Sequence, residues 1–79
     1  MHTRTKIQKH TLVALGKTIR TLRLSSDISQ EKLALLAEVN QSNIVRIESG
    51  EINVRVRTLA RIAKALDVSI AKLMRESGL

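Results

Sequence analysis

Residues 29–50, SQEKLALLAEVNQSNIVRIESG, decide the fold, because they read as two short capped helices around a tight turn. Ser29 can cap the first over roughly 30–37, where Leu33, Ala34 and Ala37 share the inner face and Glu31 complements the positive end of the dipole. The turn falls at Glu38 and Val39. Asn40 is a good N-cap for the next helix, which runs to about Ser49 and is closed by Gly50, a residue free to take positive φ. At about 100° per residue, Ile44, Ile47 and Glu48 share one side of this helix, and Ser42, Val45, Arg46 and Ser49 the other.

Outward from this pair the same periodicity predicts three more helices. One over roughly 12–24 sets Leu12, Leu15, Ile19 and Leu22 on a single stripe, with Lys17 and Arg20 toward water. It should end near Ser25 and Ser26, with Asp27 in the left-handed conformation that Asp tolerates better than most residues. Beyond Gly50 comes an open linker, EINV, then a helix over roughly 55–66 turning Val56, Leu59, Ile62, Ala63 and Leu66 inward. Ser69 caps a last one carrying Ile70, Leu73 and Met74. No stretch alternates as a strand would, and the chain has no proline. The expectation is an all-α protein, a compact five-helix bundle over residues 12–79. Residues 1–11, MHTRTKIQKHT, are expected as a basic N-terminal arm rather than an added turn of the first helix.

Composition excludes several functions. Seventy-nine residues allow one small domain. With no Phe, Tyr or Trp there is no platform for stacked bases, which argues against RNA modules built on aromatics. Without cysteine, and with only His2 and His10 near the N-terminus, neither a disulfide nor a metal site is expected. No apolar run approaches the roughly 20 residues of a membrane span, and no signal-peptide pattern opens the chain, so a cytoplasmic protein without a membrane partner is expected. There is no carboxylate pair, no nucleophile beside a base and no phosphate-cradling glycine loop. Neither an enzyme nor a cofactor is expected, and no small-molecule effector is evident.

What the chain does favour is a polyanion. Its net charge is +7, and its first 26 residues carry Arg4, Lys6, Lys9, Lys17, Arg20 and Arg23 without one acid. A solvent-facing helix would ordinarily fill its outer side with Lys and Glu pairs. The helix after Asn40 instead offers Gln41, Ser42, Asn43, Val45 and Arg46, groups that suit base edges in a major groove. Arg can fork onto guanine, Gln or Asn onto adenine, and valine can meet a thymine methyl. Phosphate is expected at the start of the second helix, at Ser29 and Gln30, where free backbone N–H groups and the dipole converge. A second set is Arg55 and Arg57, cations that oppose the dipole of the fourth helix unless an anion lies between them, with Ser49 and Asn53 adding neutral contacts.

Glu48 falls on the inner side of its helix, where an uncompensated carboxylate would cost several kcal/mol, about 3 to 5 if its partner were removed. Arg23, at the edge of the first helix's apolar stripe, is the expected bidentate partner. A phosphate contact is the alternative role for Arg23.

LGKTIRTLR, ISQEKLALLAEVNQSNIVRIESGE and TLARIAKALDVSIAKL, taken in this order and spacing, resemble the helix-turn-helix domains of the lambda repressor and Cro type over about residues 12–75. The resemblance implies a five-helix domain, a dimer on a two-fold-related operator in double-stranded DNA, and major-groove reading from the start of the third helix. By position it makes Gln41, Ser42 and Arg46 base readers, Asn40 and Asn43 flanking contacts, and Gln30 a phosphate clamp. It also makes Arg23 and Glu48 an internal ion pair. Two positions depart from the pattern. Glu38 stands where glycine is usual in the turn, and VRVRTL replaces the usual proline and small polar cap before the fourth helix.

A homodimer is expected through the fifth helix, at Ile70, Leu73 and Met74, although some of these must also close the core, Leu73 first. Paired helices there would set the two recognition helices about 34 Å apart, one turn of DNA. The functional expectation is a sequence-specific transcriptional regulator acting on a palindromic operator, autoregulatory, and either repressing by occlusion or activating by contact with RNA polymerase. Among lone domains of this type a restriction-modification controller protein is favoured, since little chain follows the fifth helix to bind a toxin. The alternative is a protein-interaction module, such as an antitoxin that masks a toxin.

Overall fold

Five α-helices make up the regular structure of residues 9–78, the part of the chain described by the computed structural model: α1 (Lys9–Ser25), α2 (Gln30–Ala37), α3 (Gln41–Ser49), α4 (Val56–Ala65) and α5 (Ile70–Glu76). α1 starts three residues before the expected position, so residues 9–11, assigned from sequence to the arm, form its first turn. The remainder of that arm, 1–8, lies outside the described residues. The α1 ladder extends because Lys9, His10 and Thr11 include no glycine or proline to break a helix.

One turn geometry recurs between the helices. Asp27, Glu38, Gly50 and Asp67 are all left-handed, at φ 59°, 58°, 77° and 60°. In each turn the residue after the left-handed one donates its N–H across the helix end: Ile28 to Arg23 O, Val39 to Ala34 O, Glu51 to Arg46 O and Val68 to Ala63 O, at 2.9–3.3 Å. These bonds satisfy carbonyls that a helix end would leave orphaned. Ile28, Val39 and Val68, half-buried, then fold back onto the core. Ser29, Asn40 and Ser69 close the following starts, each accepting a backbone N–H from Lys32, Ser42 and Lys72 at 2.9–3.1 Å.

Glu38 has no local chemistry that favours positive φ, unlike the two aspartates. Glu38→Gly is therefore expected to stabilise the domain by about 0.5–1 kcal/mol, the relief of strain less the entropy glycine adds to the unfolded chain. The urea midpoint measures it, and an unchanged or lower midpoint would show that the turn is unstrained.

The core takes one fully buried large side chain from each helix: Ile19, Leu33, Ile44, Ile62 and Leu73. α1 and α2 both pack on α3, α2 also packs on α4, and α5 bridges α1 and α4. Leu73 thus belongs to the core, which removes it from the expected dimer interface. Ile70 and Met74 are half-buried against the same core and keep part of their surface free. Val56, expected inside, is 72% exposed. It is the first residue of α4, and Thr58 and Ala60, which stand farther round the helix from the inner arc, are half-buried, so its exposure follows from its place at the helix end and not from its wheel angle. The linker is not open either, since Ile52 and Val54 turn inward while Glu51, Asn53 and Arg55 face out.

Candidate nucleic-acid interface

α3 is held by its inner side, and this leaves its outer side unencumbered. Ile44, Ile47 and Glu48 are buried, whereas Gln41, Ser42, Asn43, Val45, Arg46 and Ser49 are exposed. The outer surface carries one charge, Arg46, whose five N–H donors have no side-chain acceptor among the described residues. Val45, 41% exposed, gives it an apolar spot.

Ser42 and Asn40 are tied together. Asn40 Oδ1 accepts the Ser42 backbone N–H at 3.1 Å and its hydroxyl at 2.8 Å. The single hydroxyl proton of Ser42 is thereby committed, so toward a groove Ser42 offers lone pairs and suits a base amino group. Asn40 keeps its own amide donors.

The start of α2 brings Ser29 and Gln30 together, with the Ser29 hydroxyl occupied as N-cap and Gln30 half-buried. Gln30 Nε2 donates to Glu48 Oε1 at 3.0 Å. Arg23 donates Nε to Glu48 Oε2 at 2.7 Å, Nη2 to Glu48 Oε1 at 3.1 Å and Nη1 to the Ile28 carbonyl at 2.9 Å. Arg23 is 6% exposed and its fork is turned into the protein. It therefore serves as the internal partner of Glu48 and not as a phosphate contact, the second role allowed from sequence. The reason is that burial of Glu48 demands its full complement of donors.

At the other edge, Arg55 occupies the N-cap of α4 without a side-chain cap bond, Arg57 stands in the first turn, and no acid offsets them there. Asn53 is exposed beside them and does not cap the helix. Ser49 lies close by, but its hydroxyl faces Arg46 O at 3.0 Å and Glu51 Oε2 at 2.9 Å. Glu51 is absent from the candidates read from sequence, and only the turn after Gly50 brings its carboxylate back onto Ser49. A carboxylate at an edge expected to meet phosphate would weaken binding to any sequence. Glu51→Gln is expected to tighten binding to a mixed-sequence duplex about threefold at low salt, measured by fluorescence anisotropy, whereas weaker binding would make Glu51 a direct base contact.

Comparison with known proteins agrees with this arrangement. A family model described as helix-turn-helix matches residues 19–73. The control protein C.SmaI of Serratia marcescens is 37% identical over 65 residues, spanning 82% of this chain and 77% of that protein. The control protein C.BamHI of Bacillus amyloliquefaciens is 40% identical over 60 residues, spanning 75% and 74%. Among solved structures, the restriction-modification controller protein C.AhdI of Aeromonas hydrophila superposes with a TM-score of 0.77 at 35% identity, covering 78% of this chain and 94% of that one.

Proposed function

The chain belongs to the helix-turn-helix family of DNA-binding transcription regulators, which are not enzymes, and on that footing we propose that it is a controller-type regulator, a homodimer that reads a palindromic operator ahead of its own gene. The observation that carries this reading is the outer side of α3: amides, two hydroxyls, a valine and one arginine without a side-chain partner among the described residues, flanked by helix starts suited to phosphate. Such a surface is chemically matched to base edges, and the flanking sites set register without carrying sequence information. Gln41, Ser42 and Arg46 are the base readers, with Asn40, Asn43 and Val45 beside them. Ser29, Gln30, Asn53, Arg55 and Arg57 meet the backbone, and Ser49 joins them only when its hydroxyl proton leaves Arg46 O and Glu51. Relatives named as control proteins support the controller role. The free parts of Ile70 and Met74 supply the two-fold contact, which doubles the DNA area read by so small a domain.

Footprinting on DNA upstream of the gene, at physiological salt with excess nonspecific competitor, tests this. Symmetric protection one or two turns long is expected, and sequence-blind coating would overturn the reading and favour a protein partner. On the protected site Arg46→Ala should cost about 1–3 kcal/mol and relax preference at one base pair. A uniform loss on all sequences would make Arg46 a phosphate contact.

A further inference from the structure

We propose that Glu48, buried beneath the DNA-facing surface, is a positioning residue for DNA contact: it locks the Gln30 carboxamide so that an N–H, and not the carbonyl, is presented at the start of α2. The inference rests on the reading that this helix start meets the DNA backbone.

The Glu48 side chain is only 3% exposed and its two oxygens are engaged by Arg23. Oε1 also accepts Gln30 Nε2, at 3.0 Å. An ionised carboxylate can only accept, so the amide of Gln30 cannot reverse. Its Nε2 must face Glu48, and that uses one of two hydrogens. Among the described residues the second hydrogen has no protein acceptor, and Gln30 itself is half-exposed. A free glutamine amide turns about a broad, roughly two-fold torsion and would present its carbonyl to a phosphate as readily as its N–H. Anchored, it meets the phosphate without that loss of freedom. The anchor is rigid because the same carboxylate is clamped by Arg23, which also holds the Ile28 carbonyl two residues before Gln30. One buried group thus ties α1, the turn before α2, and α3 to a single surface amide.

A merely structural Glu48 would matter to folding alone, and a variant with stability restored separates the roles. Arg23→Met/Glu48→Leu replaces the ion pair by apolar side chains of similar volume, removing the anchor while keeping the packing. The probe is a duplex enriched by the wild-type protein from a random pool. Should none be enriched, sequence-specific reading fails, and the same variants are measured on a mixed-sequence duplex at low salt, where backbone contacts still act. Gln30→Met and Arg23→Met/Glu48→Leu are each expected to bind about tenfold more weakly, the scale of one hydrogen bond to a charged acceptor. Combined, the three substitutions should lose no more than either set. Wild-type affinity in Arg23→Met/Glu48→Leu, or losses that multiply, would overturn the proposal. Should that variant not fold, the wild-type protein still answers by NMR. The side-chain amide of Gln30 should be as ordered as the backbone in ¹⁵N relaxation, in contrast to exposed Gln41, and equal mobility of the two would refute the anchor.

Discussion

Gly16→Ala is expected to lower the thermal midpoint of the domain by about 10–20 °C, for a loss of roughly 3 kcal/mol. Propensity argues the opposite sign, since alanine inside a helix ordinarily gains about 0.5–1 kcal/mol over glycine. Packing decides here. A Cβ at Gly16 would stand 2.4 Å from the Ile47 carbonyl oxygen and 2.6 Å from that of Glu48. The obstacle is backbone, so no side chain can swing aside, and α1 and α3 must part by roughly 1 Å to restore contact distance. That separation would loosen the layer beneath the proposed reading surface, including the Arg23–Glu48 bonds. Circular dichroism on heating measures the shift, and a higher midpoint would mean that the two helices can slide apart freely.

The second large effect concerns the buried pair itself. Arg23→Met should destabilise by about 3–5 kcal/mol, because it strands Glu48 with Gln30 as its remaining side-chain donor among the described residues. Set against the roughly 5–15 kcal/mol that holds a domain together, this leaves a marginal protein. Adding Glu48→Leu should return stability to within about 1 kcal/mol of wild type, since the pair's own desolvation cost disappears with it. Urea unfolding of the single and double variants is the measurement. A loss under 1 kcal/mol in Arg23→Met would show that water reaches Glu48, and no recovery in the double variant would show that the pair is net stabilising.

Much of this was legible in the sequence through rules that act within a few residues. Ser29, Asn40 and Ser69 cap the helices they precede, Asp27 takes the left-handed turn, and the wheel that puts Glu48 inward also points to Arg23. Asp67 was missed, yet its segment Asp67-Val68-Ser69 repeats Asp27-Ile28-Ser29, and both are the same turn followed by the same cap. Gly16 left no readable signal, because its reason lies in a helix more than thirty positions later in the chain. Val56 and Leu73 fit apolar stripes equally well, and only the reach of neighbouring helices separates one at 72% exposure from one at 0%.

The sequence by itself determined where α2, α3 and α5 start and where the chain turns between helices, since caps, left-handed residues and 3.6-residue periodicity are local properties of the chain. Which apolar residues close the core, how near α1 and α3 approach, and that Gln30 shares a carboxylate with Arg23 were decided by tertiary structure alone. Those outcomes depend on distances between segments remote in sequence, and close packing sets such distances to within a few tenths of an ångström.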